Sequence, residues 1–314
     1  MIENKIISIF TPCYNEEGNV YNMYAAIKNV MELLPTYDYE HVFIDNCSQD
    51  NTPEILRNIA ADDKRVKVIF NVRNFGPSRS GSYGFYQTTG DASICLACDF
   101  QDPPELIPQF IEMWEKGYKV VWGKKEGSGE NGFLYLMRKI YYKISSIFAD
   151  VPQHEDVTGF GLYDREVMDH LRATGDPNPY FRIMIADFGY EVGFVSYHQP
   201  KRKSGRSSYN LIRYMMLAIS SIANTSKAPL RLASFLGVII SCICFIVALY
   251  YLVMKLIFWY SFDMGFAPIV IGVFFLGGIQ LLVLGIIGEY IGEILTRVTK
   301  RPMVVERERL NFKD

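Results

Sequence analysis

Histidine and cysteine are scarce in this chain, and their spacing argues against a zinc site. Four histidines and six cysteines occur among 314 residues. Cys95 and Cys98 form a CxxC pair, but neither a second such pair nor a histidine stands at zinc-ligand spacing. We therefore expect buried free thiols and a reducing, cytosolic compartment for the front half of the chain.

Excess charge and the common nucleotide-binding signatures are also lacking. The formal net charge is −2, so the molecule has no bulk attraction to nucleic acid and we expect no nucleic-acid partner. No Walker A pattern, no kinase signature and no GxGxxG after the first predicted strand is present. The opening segment MIENKIISIF has only a short apolar run before a polar motif, so we expect no cleavable signal peptide.

What the front half does contain is an alternation of strand and helix periodicity. We predict strands at 5–12, 40–45, 65–70, 92–99 and 118–123, and helices at 18–34, 52–61, 77–89 and 104–116. Such alternation is typical of an α/β fold with a mostly parallel sheet covered by helices on both faces. Further along, the segment DVTGFGLYDREVMDHL predicts a strand, a turn and a helix, and GYEVGFVSYHQ predicts another strand.

Each of these five strands is followed by a polar loop marked by glycine or proline. The loops read TPCYNEEGN, DNCSQDNT, NVRNFGPSRSG, DFQDPP and GKKEGSGE. Because ligands bind at the carboxyl ends of strands in such sheets, we expect the five loops to form one site. Loops of this kind can also be merely solvated, but those at the opposite ends (LLPTYDY, ADDKR, EKG) lack the motifs.

The fourth loop, within ACDFQDPPE, predicts a divalent metal site. Asp99 and Gln101 supply hard oxygens that suit Mg²⁺ or Mn²⁺, and residues two apart in an extended stretch face the same side. Asp102 is the predicted N-cap of helix 104–116, with Pro103 at the first helical position. Since Mg²⁺ binds through one or two carboxylates plus substrate phosphates, we expect a nucleotide diphosphate substrate.

Two long apolar runs in the back half predict membrane helices. Each exceeds the roughly 20 residues needed to cross a bilayer. Lys227 and Arg231 precede the first run, and Arg297, Lys300, Arg301, Arg307 and Arg309 follow the second, so we expect both long ends in the cytosol. Residues 209–223 carry apolar side chains on one helical face beside basic residues, which predicts an interfacial helix or, alternatively, a core-facing one.

These patterns predict four regions and a location integral to the cell (inner) membrane. The regions are a cytosolic catalytic domain at 1–200, juxtamembrane basic and amphipathic helices at 201–230, two transmembrane helices within 231–290 (about 232–256 and 266–288) and a cytosolic tail at 291–314.

The motifs together resemble a known family. TPCYNEEGNV, FIDNCSQDNT, VRNFG and DFQDPPELI resemble the family 2 glycosyltransferases with the GT-A fold. RKSGRSSYN and GIIGEYIGEILTRVTKRPMVV look like the bactoprenol-phosphate glycosyltransferase branch, relatives of dolichyl-phosphate mannose synthase. The resemblance implies a UDP-sugar donor, a polyprenyl (undecaprenyl) phosphate acceptor, Mg²⁺ or Mn²⁺ as cofactor, and a homo-oligomer, a tetramer in this family.

The resemblance also implies residue roles on the donor side. Pro12, Tyr14 and Glu16 are expected to line the base and ribose. Asp45 is expected to contact the base, where the family often has Asp-Asp and this chain has Asp45-Asn46. Arg73 and Gly76 are expected to flank the donor, and Asp99 and Gln101 to hold the metal.

An anionic lipid phosphate needs cations at the membrane face. The basic residues expected there are Lys124, Lys125, Arg138, Lys139, Arg202, Lys203 and Arg206. Arg138 and Arg202 are the preferred pair, because a guanidinium binds phosphate in a bidentate manner. The four lysines have the alternative role of contacting anionic headgroups.

The chain departs from the family pattern at two places. Family members often carry an acidic residue where this chain has Ala97, so the metal site has one carboxylate and one amide. They also often read Asp-Phe-Arg where this chain has Gly159-Phe160-Gly161, which leaves Asp156 as the carboxylate expected to substitute.

The implied reaction needs little acid–base help. A phosphate monoester has a second pKa of about 6, so the acceptor oxygen is largely anionic and attacks the anomeric carbon in one inverting displacement. A processive polysaccharide synthase of the same fold is an alternative, but its Gln-x-x-Arg-Trp motif and additional spans are missing. A non-catalytic membrane scaffold is the other alternative, disfavoured by the intact Asp99 and Gln101.

Overall fold

A computed structural model describes residues 5–126, 157–176, 179–200, 228–258, 266–299 and 301–312. Within these residues, eight strands form one mixed sheet in the order β7-β5-β6-β4-β1-β2-β3-β8. The strands are β1 (Ile6–Cys13), β2 (Asp38–Asp45), β3 (Val66–Asn71), β4 (Ala92–Cys95), β5 (Val120–Lys125), β6 (Val157–Asp164), β7 (Val192–Tyr197) and β8 (Glu306–Leu310).

Strand direction decides which loops meet. Among the described strands, β1–β2, β1–β4, β2–β3 and β5–β7 pair in parallel, which confirms the mostly parallel sheet. β6 is antiparallel to both β4 and β5, so these two antiparallel steps bring β5 back to the direction of β4. Strands β1 to β5 therefore all end at one edge of the sheet, called here the loop edge.

Helices cover both faces of the sheet. They are α1 (Val20–Glu32), α2 (Thr52–Asp62), α3 (Pro77–Tyr86), α4 (Ile107–Glu115), α5 (Arg165–Ala173) and α6 (Phe181–Phe188). Successive strand residues point to opposite faces, so Ile9 and Phe43 pack with α1, α2 and α4. Their neighbours Phe10 and Ile44 pack with α3, α5 and α6. The two apolar layers hold the sheet rigid beneath its loops.

Two boundaries differ from the sequence-based prediction. β4 ends at Cys95, four residues before the predicted end, because the chain turns before Asp99. The predicted helix 104–116 is a 3-10 turn at Pro104–Leu106 followed by α4, and its N-cap residue is Pro103 without a side-chain cap. The prediction that Asp102 is the N-cap is thus wrong, because its carboxylate accepts a hydrogen bond from the Ala97 backbone N–H instead.

Two further elements are long and apolar. α7 (Ala228–Ile257) and α8 (Phe266–Val298) contain stretches, Ala233–Ile257 and Phe275–Val298, with mean hydropathies of 2.7 and 1.7 that are long and apolar enough to cross a membrane. None of either stretch is buried. The chain divides into two compact units. One contains the sheet and includes residues 300–314, and the other contains the apolar helices. The domain bounds predicted from the sequence remain a prediction.

Candidate active site

The loops after β1 and β2 are joined to each other at the loop edge. The Asn15 backbone N–H donates to Ser48 Oγ at 2.8 Å, and the Glu16 N–H donates to Thr52 Oγ1 at 2.8 Å. The two strands pair in register up to Cys13 and Asp45. The predicted meeting of the first two motifs is therefore confirmed.

Three residues predicted to line a nucleotide lie in the first loop. Pro12 is half-buried on β1, Tyr14 is 41% exposed, and the half-buried Glu16 accepts a hydrogen bond from Asn19 Nδ2 at 2.7 Å. An exposed aromatic ring beside a backbone fixed by hydrogen bonds is a suitable surface for a flat ligand.

Asp45 ends β2 and is fully buried. Both carboxylate oxygens accept from the Ser48 backbone N–H, at 3.3 and 3.2 Å. Burial raises the pKa of Asp45, although the Ser48 hydrogen bonds and the charge of Arg307 act in the opposite direction. A buried carboxylate with so few donors retains lone pairs for a further N–H or O–H donor.

Asn46 connects the second loop to the third. Its Oδ1 accepts from the Phe75 backbone N–H at 2.9 Å and from Asn71 Nδ2 at 3.2 Å. Its Nδ2 donates to Asn74 Oδ1 at 3.0 Å. An amide accepts and donates, whereas an ionised carboxylate only accepts, so the structure gives a physical reason for asparagine where the resembling family often has aspartate. The connecting role of Asn46 was not predicted from the sequence.

The third loop holds Arg73 and Gly76. Arg73 is exposed, with its guanidinium carbon 4.1 Å from the Phe75 ring centroid. Gly76 has φ +86°, a backbone conformation that residues with a side chain rarely adopt. Its N–H donates to Asn74 Oδ1 at 2.8 Å, and α3 begins at the next residue. The sequence-predicted pair therefore lies on one ordered loop.

The fourth loop turns sharply rather than extending. Phe100 has φ +60°, and the Gln101 backbone N–H donates to Asp99 Oδ1 at 3.1 Å. The prediction that residues 99–101 are extended, with Asp99 and Gln101 facing the same side, is therefore wrong, because a residue in the left-handed conformation separates the two. Asp99 is 4% exposed and Gln101 is half-buried, so the turn still leaves both at the loop edge.

Asp102 closes this loop from the other side. Its Oδ2 accepts from the Ala97 N–H at 3.1 Å, and Tyr197, at the end of β7, donates to its Oδ1 at 3.4 Å. Burial, together with the neighbouring Asp99 charge, raises the pKa of Asp102 to about 6, although the Ala97 hydrogen bond acts in the opposite direction. Asp102 thus fixes the turn that carries Asp99 and Gln101.

Strained backbone is concentrated at this edge. Asn15, Cys47 and Phe100 have φ between 55° and 63°, and they follow β1, β2 and β4 respectively. Left-handed conformations in residues other than glycine cost on the order of 1–3 kcal/mol each and cluster at functional sites. Because three loops at the loop edge each contain such a left-handed residue, we take this edge as the functional edge of the sheet.

The donor atoms at this edge suit a hard cation. Asp99 and Gln101 offer carboxylate and amide oxygens, which Mg²⁺ and Mn²⁺ prefer. Among the described residues, no group of three or more histidine, cysteine, aspartate or glutamate side chains is placed to hold a metal ion. One carboxylate and one amide fit a cation that takes the rest of its coordination from a substrate or water.

The acceptor-side predictions are only partly covered by the structure. Lys124 and Lys125 end β5; Lys124 Nζ lies 5.8 Å from the Phe194 ring centroid, and the charge of Lys125 lowers the pKa of Asp102. Lys125 therefore lies near the fourth loop. The following predicted residues lie outside the described residues: Arg138, Lys139, Asp156, Arg202, Lys203 and Arg206.

The second departure from the family pattern has a steric explanation. Gly161 pairs with Cys95 of β4 on one side and Trp122 of β5 on the other. A Cβ at this position would lie 2.1 Å from the Val121 carbonyl oxygen. The approach of β5 to β6 thus excludes any side chain at residue 161.

Comparison with known proteins shows similarity along the chain. The profile of glycosyl transferase family 2 matches residues 8–172. The uncharacterized glycosyltransferase YkcC of Bacillus subtilis is 34% identical over 299 residues, covering 95% of this chain and 92% of that protein. The bactoprenol glucosyl transferase of Shigella phage SfX is 31% identical over 306 residues, covering 96% and 99%. The prophage bactoprenol glucosyl transferase homolog of Escherichia coli K12 is 30% identical over 302 residues, covering 95% and 97%.

Proposed function

The chain belongs to glycosyl transferase family 2, and from this membership we propose that it transfers a sugar from a UDP-sugar to polyprenyl phosphate at the cytosolic membrane face. The product is a polyprenyl-phosphate-linked monosaccharide. The observation that carries the proposal is that relatives matching nearly the full length, apolar helices included, are named bactoprenol glucosyl transferases. The convergence of five strand ends at one edge supports it.

The donor binds across the first three loops. Tyr14 and Glu16 line the base and ribose beside Pro12, and the buried Asp45 accepts an N–H from the base, since its carboxylate retains free lone pairs. Arg73 and Gly76, held through Asn46, flank the donor on the other side.

Asp99 and Gln101 would hold Mg²⁺ or Mn²⁺, which would supply positive charge against the departing diphosphate. Asp102 keeps the loop in its turned form through the Ala97 N–H. The donor set fits because such cations need only one or two protein carboxylates when substrate phosphates supply the other ligands.

The chemistry is a single displacement. An acceptor phosphate oxygen forms the new bond to the anomeric carbon as the bond from that carbon to the UDP oxygen breaks, with inversion. The acceptor phosphate is largely dianionic above a pKa of about 6, so the protein acts by positioning and charge stabilisation. Lys125, together with Arg138, Arg202 and Arg206, supplies the cations for that phosphate.

The location follows from the apolar helices. We assign α7 and α8 as membrane spans, because helices that are apolar on all sides need a non-aqueous environment. From the basic residues beside them we infer that residues 1–200 and 291–314 lie in the cytosol. The domain bounds predicted from sequence and a homo-oligomeric state are part of this proposal.

The test uses the full chain reconstituted in lipid vesicles. A panel of nucleotide sugars is assayed for nucleoside diphosphate release with and without undecaprenyl phosphate. We expect lipid-dependent UDP release that stops on chelation with EDTA and returns with Mn²⁺ or Mg²⁺. Long carbohydrate products would instead indicate a processive synthase, no release under any condition would indicate a scaffold, and retained anomeric configuration would refute the single displacement.

A further inference from the structure

The chain after α8 returns to the sheet of the catalytic unit. Within residues 301–312, called here the tail, β8 pairs antiparallel with β3, from Val68 opposite Leu310 to Asn71 opposite Glu306. Because β3 ends at the loop edge, the antiparallel β8 begins there. The part of the tail that precedes β8 therefore lies beside the third loop, which follows β3.

Side chains fasten the tail to the helix before β3 and to the helix after it. Arg57 of α2 donates to Glu308 Oε2 from Nη2 at 2.7 Å and from Nε at 3.2 Å. Glu306 accepts from the Tyr83 hydroxyl of α3 at 2.7 Å. Hydrogen bonds between charged groups are stronger than those between neutral ones. The tail is thus anchored on two sides, and its position is set independently of the loop.

Two hydrogen bonds then connect the anchored tail to the third loop. The Val72 N–H donates to the Val305 carbonyl at 3.0 Å. Arg79 donates from Nη2 to the Pro302 carbonyl at 2.8 Å, across a sequence separation of 223 residues. The Arg79 guanidinium carbon also lies 5.7 Å from the centroid of the Phe75 ring, which Arg73 contacts at 4.1 Å. Arg79 therefore links the tail to the ring in the middle of the loop.

The tail also brings positive charge towards the second loop. The ladder between β3 and β8 shifts register at Phe70–Asn71, and such bulges re-aim side chains. The Arg307 guanidinium carbon lies 5.9 Å from the Phe70 ring centroid. Phe70 is opposite Asp45 in the parallel ladder between β2 and β3. The guanidinium of Arg307 therefore lies near the end of β2 where Asp45 is found.

We propose that the tail is a working part of the donor pocket, and that Arg79 is the positioning residue through which it fixes the third loop for a nucleoside diphosphate. The inference rests on the proposed function for the identity of the ligand. It makes the chain beyond the second apolar helix necessary for donor binding.

The experiment uses the full chain in lipid nanodiscs and compares Arg79→Ala, Arg79→Lys and the control Arg165→Ala. Arg165 is an arginine of α5 whose side chain pairs with Asp169 of the same helix at 3.3 Å, and neither residue belongs to the tail or to the third loop. UDP is the probe for equilibrium binding with Mn²⁺, and transfer kinetics give KM for the sugar nucleotide and kcat. Hydrogen exchange of the Phe75 and Gly76 amides is measured without ligand.

We expect Arg79→Ala to weaken UDP binding about tenfold, equivalent to about 1.4 kcal/mol, and to raise KM with kcat within about twofold. Exchange at Phe75 and Gly76 should quicken. Arg79→Lys should recover most of the affinity, because an ammonium still donates to the Pro302 carbonyl, and Arg165→Ala should match the wild type.

Three outcomes overturn the inference alone: unchanged loop exchange and UDP affinity in Arg79→Ala, an equal loss in Arg165→Ala, or a kcat loss at constant KM, since Arg79 would then act on the chemical step. If the wild type does not bind UDP, the proposed function fails and the inference fails with it. The exchange measurement, which needs no ligand, separates the two failures.

Discussion

Removing the Asn46 side chain should loosen the donor side of the site by a calculable amount. Asn46 is 5% exposed and makes three hydrogen bonds, to the Phe75 N–H, Asn71 Nδ2 and Asn74 Oδ1. At about 1 kcal/mol net for each bond, Asn46→Ala should destabilise the catalytic unit by about 3 kcal/mol. For a unit of this size each kcal/mol lowers Tm by roughly 2–4 °C, so the expected fall is about 6–12 °C.

Asn46→Asp is the matched variant. An aspartate keeps both acceptor roles, but its second oxygen faces Asn74 Oδ1 instead of donating to it, so we expect a loss of at least about 1 kcal/mol, or roughly 2–4 °C, and less than in Asn46→Ala. The assay is thermal unfolding of the full chain in detergent, followed by UDP binding at a temperature where all variants are folded. A Tm for Asn46→Ala within 2 °C of the wild type, or equal losses in the two variants, would refute the reasoning.

Other predictions concern the metal loop, acid stability and the tail. Asp99→Asn should keep the fold, since the amide oxygen still accepts from the Gln101 N–H, but reduce sugar transfer at least about 100-fold; transfer near the wild-type rate with the same Tm would contradict the metal assignment. His41 is fully buried, and burial lowers its pKa to about 3. Between pH 3 and 6.5 the unfolded chain therefore binds a proton at His41 that the folded chain does not, so the free energy of unfolding falls as the pH falls. The loss from pH 6.5 to 5.5 is about 1 kcal/mol, measured by urea unfolding, and an equally steep loss in His41→Gln would assign it to other groups. Ending the chain at residue 300 should leave β3 as an unpaired edge and lower Tm; an unchanged Tm would show that β8 contributes no stability.

The sequence predicted the strands of the catalytic unit well because their signal is local. Apolar runs such as KIISIF and EHVFID can be read from neighbouring residues alone, and glycine, proline or asparagine mark where they end. Parallel strand direction then follows from the alternation with helices, which brings Asp45, Asp99 and Gln101 to one edge. The family assignment was confirmed because it rests on those same loops.

The predictions that failed concern hydrogen bonds and a backbone conformation that form only in the folded chain. Asp102 carries the residue type of an N-cap, but it accepts hydrogen bonds from the Ala97 N–H and the Tyr197 hydroxyl instead. Phe100 adopts a left-handed backbone that an aromatic residue disfavours, so local rules expected an extended chain between Asp99 and Gln101. In both cases the surrounding structure outweighs the local preference.

By itself the sequence determined the α/β architecture, the two apolar helices, and the chemical identity of the groups at the loop edge, because periodicity and residue type are properties of neighbouring residues. Only the tertiary structure decided that Asn46 joins two loops and that ERERL is a strand. Glu306–Leu310 has no apolar alternation to predict β8. It becomes a strand because the open edge of β3 offers hydrogen bonds, and because Arg57 and Tyr83 offer partners for its two glutamates.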